Sequence, residues 1–294
     1  MKIPTSVVGS SARHRAALTA AVCFAFALLP AVPASAQEKA APPAVDQAPP
    51  PAAKKTPPPT LDQMVQYFES IVFESEYGKL VPPSKVIKKW TGPLRIAIRA
   101  FEEESAEDKQ SERKLVQVKV KQPYLTFIQR HLNTLARETG LVTEDAKKTG
   151  EPPNFMINFV PRKHMADPIL VNADPAVLKR MAGEGGCYFV AWSDDRTGSI
   201  FRVAIVVNIE RLLIRINHCL LEEMTQSLGL PNDTNMIGPS IFHDDSRQTE
   251  LSRTDLIILR TLYDPRIKAG MPKAEAMAKV REVIAELMAK YPPE

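Results

Sequence analysis

The chain changes character at Thr60, and that switch limits where a core can be built. Residues 37–60 are mostly Pro, Ala and Lys, with Pro42-Pro43, Pro49-Pro50-Pro51 and Pro57-Pro58-Pro59. Such a composition cannot bury enough apolar surface to offset the entropy of ordering, and it favours extended polyproline II. This stretch therefore reads as a stiff tether. From Thr60 onward apolar residues recur with helical and strand periods, so the fold must come from residues 61–294. At about 230 residues this segment can make one sizeable core and is too short for two comfortable ones.

Ahead of the tether, Lys2, Arg13 and Arg15 precede an apolar stretch from Ala16 to Leu29, and Ala34-Ser35-Ala36 follows. That is the charged, apolar and small-residue order of a cleavable signal peptide over residues 1–36, which predicts a periplasmic or secreted protein. The apolar stretch is about 14 residues, short of the roughly 20 that span a bilayer. No membrane span is therefore expected after cleavage. Cys23 follows Ala20-Ala21-Val22, and a valine just before the cysteine does not suit lipoprotein processing.

Of 38 Lys and Arg against 34 Asp and Glu, the leader holds three cations and no carboxylate, so the remainder is nearly neutral. A neutral chain without a basic block has no electrostatic footprint for nucleic acid. Removal of Cys23 would leave Cys187 and Cys219, an even pair in an oxidising compartment, and a disulfide between them is expected. The alternative is two buried free thiols.

Thr60 and Gln63 make a capping-box start for a helix whose apolar stripe is Met64, Phe68 and Ile71. Leu94–Ile98 alternates as a strand after the Gly92-Pro93 break, and Val116, Val118 and Val120 repeat the pattern beyond an acidic loop. Pro123 opens a helix carrying Leu125, Ile128, Leu132 and Leu135, with Gly140 as its stop. Phe155–Val160 reads as a buried strand. Tyr188–Trp192 and Ile200–Val207 flank Asp194-Asp195-Arg196-Thr197-Gly198 as a hairpin. A central helix is expected over Arg211–Leu228, another from Ser252 with Asp255, and a last one through Met277, Val280, Ile284, Leu287 and Tyr291. Gly183-Glu184-Gly185-Gly186 lacks the lysine of a phosphate loop and reads as a turn. His131 and His164 have no metal-ligand spacing and read as surface or capping residues.

The central helix carries the chemistry. Leu213, Ile216, Leu220, Met224 and Leu228 form its apolar face, and Arg211, Arg215, His218, Glu222 and Gln226 form a polar stripe. Glu223 lies about 100° round the helix from Glu222, which predicts that the two carboxylates diverge. Gly229 with Pro231 is a helix stop.

This stretch resembles the active-site helix of zincin metallopeptidases, H-E-x-x-H-x-x-G-L, with Glu222-Glu223-x-x-Gln226-x-x-Gly229-Leu230 on its positions. The motif glutamate falls on Glu223. The third histidine of metzincins falls on Asn232, so all three ligand positions are changed, to Glu222, Gln226 and Asn232. Leu251-Ser252-Arg253-Thr254-Asp255 and Leu259–Tyr263 resemble the closing helix of matrix-metalloprotease-like domains. Pro239-Ser240-Ile241-Phe242 stands where a methionine turn would fall and has no methionine. The Glu-Glu-x-x-Gln variant, the preceding Cys219, the Gly186-Cys187 strand and Leu262-Tyr263-Asp264-Pro265 are similar to bacterial domain-of-unknown-function family 2927, over about residues 85–271. The resemblance implies an α+β fold of zincin-like architecture, with a mixed sheet, a central motif helix and C-terminal helices. Asp255 is then first a helix cap and second a support for the neighbouring site.

Catalytic zinc takes three histidine or carboxylate ligands and an open position. Neutral amides are weak zinc ligands, so Glu222 alone would hold zinc poorly, and zinc is not the expected cofactor. His218, Asp233, His243, Asp244 and Asp245 are the further candidate ligands. Three functions remain open. The first is a zincin scaffold without zinc chemistry that binds a peptide or an envelope protein, with Ile205–Asn208 as the candidate exposed strand edge. The second is a metal-dependent hydrolase with rearranged ligands and Glu223 as general base. The third is a structural envelope protein whose polar stripe is a solvated helix face.

Overall fold

A computed structural model describes residues 57–75, 81–104, 114–184 and 186–293. The expected leader, Cys23, and the tether up to Thr56 lie outside these residues, as does Gly185 of the glycine-rich turn.

The first helix, α1 (Leu61–Phe73), starts with the capping box expected at Thr60, and Met64, Phe68 and Ile71 are fully buried. Then come β1 (Lys89–Trp90), β2 (Leu94–Glu103), β3 (Leu115–Val118) and α2 (Gln122–Thr139). Gly140 closes α2 at φ 73°, a left-handed conformation that glycine adopts without a Cβ penalty. They are followed by β4 (Thr143–Asp145), α3 (Ala146–Thr149), β5 (Phe155–Val160) and α4 (Pro175–Glu184). The hairpin β6 (Cys187–Ser193) and β7 (Ser199–Asn208) leads into α5 (Leu213–Gln226), α6 (Arg253–Tyr263) and α7 (Lys273–Lys290). The arrangement of a mixed sheet and seven α-helices among the described residues agrees with an α+β class. No helix among these residues is long and apolar enough to cross a membrane.

Ile96 of β2 pairs with both β4 and β5, and Val203–Val207 of β7 pairs with both β5 and β6. The body of the sheet therefore runs β4-β2-β5-β7-β6, parallel except for the antiparallel β6. β3 pairs with the far end of β2, and β1 with the start of β7. The central strands are buried on both faces, which accounts for their unbroken apolar runs. Phe155, Ile157, Phe159, Val203, Ile205 and Val207 meet α1, α2 and α5–α7 on one face. Met156, Val160, Ala204 and Val206 meet α4 and the 165–171 segment on the other.

Several expectations need correction. Ile205–Asn208 is not an exposed edge, because β5 and β6 flank it on both sides. The central helix is shorter than Arg211–Leu228 at both ends, and Leu213 is 46% exposed rather than part of the core face. Gly183 and Glu184 belong to the end of α4 instead of a turn, and α4 itself, with Val177, Leu178, Met181 and Ala182 on one face, is a helix that the sequence reading did not assign. His131 is 2% exposed: its Nε2–H donates to Asn217 Oδ1 at 2.9 Å across the α2–α5 contact. It reads as polar in the sequence, yet a buried ring with one satisfied N–H is at home in a helix interface.

Burial, the largest influence, holds the His131 pKa below its ordinary 6.5; Arg130 adds to it, and the bonds with Asn217 and the charge of Glu250 oppose it. The unfolded ring takes up a proton below pH 6.5 while the native ring resists. Stability is thus complete above that pH and is lost as pH falls from 6.5 towards the lowered native value, by up to about 1.4 kcal/mol per pH unit. Urea midpoints measured from pH 7.5 to 5 should fall more steeply for the native chain than for His131→Gln. Parallel slopes would contradict this account.

Candidate functional site

β7 ends at Asn208, and its chain turns under the sheet edge into α5, with Ile216, Leu220 and Met224 buried in the main core. The opposite stripe, Arg215, His218, Glu222 and Gln226, lines a cleft of about 540 Å³. Across from it stand Cys187 and Phe189 of β6 and Met181 of α4, with Arg162, Arg211, Asp233 and Asp244 coming from loops. A second chamber of about 200 Å³ shares Met181, Phe189 and Gln226 with the first. It continues past Val190, Ala191 and Ser193 to Pro231, with Val177 of α4 on its wall. The two make a groove that follows β6, polar at its start and largely apolar at its end.

The end of α5 is fixed by Gly229, at φ 114°, where a Cβ would lie 2.1 Å from the Lys88 carbonyl oxygen. The chain must turn there, and this turn sends Asn232 away from the cleft. Asn232 Nδ2 approaches Ser70 Oγ at 3.5 Å, and its backbone N–H donates to the Ile71 carbonyl of α1 at 3.2 Å. The third motif position therefore does not join the other two. Asp233 takes its place in the cleft, where Gln226 Nε2 donates to Asp233 Oδ1 at 2.5 Å. His243 does not line the cleft, whereas Asp244, exposed and accepting from Asn235 Nδ2 at 2.7 Å, and Ser246 of the same loop border it. Asp245 is exposed.

Glu222 and Glu223 do not diverge. Each brings a carboxylate oxygen within 4.8 Å of the other and of the Cys187 sulfur. The 100° step separates their Cβ atoms, but two long side chains at the mouth of one cleft can converge at their tips. His218 Nδ1–H donates to the Gln248 carbonyl at 2.7 Å, which turns Nε2 to Glu222 at 3.3 Å. Burial, and then Arg215 and Arg211, hold the His218 pKa below its ordinary value. The contact with Glu222 becomes an ion pair only once the ring is protonated.

Asp255 is fully buried and caps α6 as expected, with its side chain accepting from the Ser252 N–H at 2.8 Å. It also accepts from Ser240 Oγ at 2.5 Å, and Ser240 in turn accepts from the Tyr67 hydroxyl at 2.6 Å. This chain of bonds holds the 239–242 loop between α1 and α6. Asp255 thus supports the region beneath the site and does not touch the cleft.

Cys187 and Cys219 form the expected disulfide, with Cα atoms 5.9 Å apart, and it ties the start of β6 to the middle of α5. The sequence reading missed Arg162, Phe189 and Met181 as cleft residues. Phe189 had a strand-alternation signal, whereas Arg162 and Met181 reach the cleft only through the fold. The bridge closes a segment of 32 residues, for which loop closure in the unfolded chain predicts about 3.7 kcal/mol of stabilisation. Cys219→Ser should lower the unfolding free energy by about that amount in urea titrations, and an unchanged midpoint would refute the contribution.

No curated protein and no solved structure is matched by the chain. A family described as Protein of unknown function (DUF2927) matches it over residues 61–282, from the start of α1 into α7, and therefore across every element of the cleft. The chain belongs to the DUF2927 family.

Proposed function

We propose that this is an exported, zincin-like domain that binds an extended peptide along β6 and has no zinc peptidase centre. The observation that carries the reading is the free edge of β6 beside the cleft. Asn208 N–H donates to the Gly186 carbonyl at 2.8 Å, and Cys187 is paired with Val207. In an antiparallel ladder this register gives residues 188 and 190 to β7 and turns the backbone groups of Cys187, Phe189 and Ala191 outward. Among the described residues no other strand pairs with β6. An unpaired edge facing a groove is the geometry of recognition by strand addition, in which backbone bonds give affinity and pockets select side chains.

The zincin-like part draws support from the order strand, helix, strands, motif helix, and from Glu222 and Gln226 lining one cleft. The donor set fits zinc poorly. Glu222 faces His218, Gln226 binds Asp233, Asn232 lies against α1, and the Cys187 sulfur is in a disulfide. The fold alone does not assign an activity. The approach of Glu222 to Glu223 favours a second reading, a cation-assisted hydrolase in which Glu223 activates water. A water-facing stripe with no cleft would favour the third function, a solvated helix face, whereas Glu222 and Gln226 line a cleft.

Protein purified without added ions should hold well under one equivalent of zinc and should leave casein intact. Immobilised protein should retain members of a random decapeptide library, and Ala191→Pro, which removes an outward N–H without taking a bond from β7, should abolish retention while the fold persists by circular dichroism. Stoichiometric metal with cleavage lost in Glu223→Gln would replace this reading with the second.

A further inference from the structure

The charges of the cleft are sorted along α5. Arg162, Arg211 and Arg215 line its end at the start of the helix, whereas Glu222, Glu223 and Asp233 line the other end, with Asp244 on a bordering loop. We infer that the arginine end is a carboxylate subsite, which anchors the bound peptide through an acidic side chain or its free C-terminus. The inference rests on the peptide-binding reading and goes further by naming the chemistry of the ligand.

Three observations carry it. First, the three arginines come from separate places, the loop after β5, the loop before α5 and the first turn of α5, and converge on one cavity. Among the described residues none of them forms a salt bridge. Arg260, Arg266 and Arg281 elsewhere each have a carboxylate partner. The contact of the Arg211 guanidinium is a weak one, Nη1 to the Cys219 sulfur at 3.7 Å. Guanidinium groups that line a cleft without a salt-bridge partner are ready donors for a planar anion.

Second, Arg211 is seated by packing. A Cβ on Gly186 would lie 1.9 Å from its Nη1 and 2.0 Å from its Cδ, so the side chain lies across a position that only glycine leaves open. Third, no side chain caps α5 at Leu212, so the first-turn amides add their partial positive charge at the same end. The field of Arg215 and Arg211 already reaches His218, one turn further on.

The opposite end repels carboxylates and attracts cations, which sets the direction of the ligand. Arg215 and Glu222 are about 10 Å apart along the helix axis at 1.5 Å per residue. An extended peptide covers that in about three residues. The preferred ligand therefore carries an acidic group about three residues from a basic one.

Fluorescence anisotropy with three N-terminally labelled decapeptides of Ala, Ser and Val tests this. One has a free C-terminus, one is amidated with a single central Glu, and one is amidated with no acid. The first or the second should bind about tenfold more tightly than the third, the better of the two identifying the source of the carboxylate. The preference should shrink with added NaCl and vanish in Arg211→Gln. It should also weaken in Gly186→Ala, where a flexible arginine gives way and the melting temperature stays close to that of the native chain. Equal binding of all three peptides, or a preference that survives both variants, would overturn the subsite and leave the groove intact. Binding of none of them would overturn the peptide reading and the subsite with it.

Discussion

The site depends on the clamp between β6 and α5. A hairpin alone would leave β6 as a sheet edge free to fray, and α5 as one amphipathic helix among several. The Cys187–Cys219 bridge sets the strand and the helix at one spacing, and the buried face of α5 fixes which of its residues look into the gap. With both surfaces held, Phe189 and the Glu222–Gln226 stripe face a common cleft. A disulfide suits this position because a strand at the sheet margin has packing on fewer sides than β5 or β7, and a covalent tie compensates for the missing neighbour.

Loops complete what the clamp begins. The Gly229 turn against Lys88 directs the chain so that Asp233 enters the cleft and Asn232 leaves it. The bonds from Tyr67 through Ser240 to Asp255 hold the following loop, from which Asp244 borders the cleft. On the far side of α6, Lys89 is buried and donates to the carbonyls of Leu262 and Ile267, with its pKa lowered to about 8 by burial. That cation satisfies carbonyls that the helix end leaves open. Tyr67, Ser240, Asp255 and Lys89 therefore support the surroundings of the cleft and do not line it.

Much of the fold was legible in the sequence. The capping boxes at Thr60 and Ser252, the stop at Gly140, the buried strand Phe155–Val160 and the β6–β7 hairpin all rest on local chemistry, and local chemistry determined them. The site was legible only along α5, where period alone places His218, Glu222 and Gln226 on one stripe. Position along that stripe could not show that β6 rather than Ile205–Asn208 forms the edge, since an unbroken apolar run signals burial without saying which strand lies outside. The convergence of Glu222 with Glu223 was equally hidden, because a helical wheel describes Cβ directions and not the reach of two long side chains. Arg162 and Met181 reach the cleft by tertiary placement, for which no local signal exists.

The central claim is that the outward backbone of β6 is a docking edge that works without zinc. Residue-resolved amide hydrogen exchange on metal-free protein, with and without a saturating peptide from the retained library, tests it most directly. The account predicts that the amides of Phe189 and Ala191 exchange fast in the free protein and become strongly protected with peptide bound, while those of Tyr188 and Val190 are protected in both states. Peptide binding that leaves Phe189 and Ala191 unprotected, or that disappears when metal is removed, would contradict it.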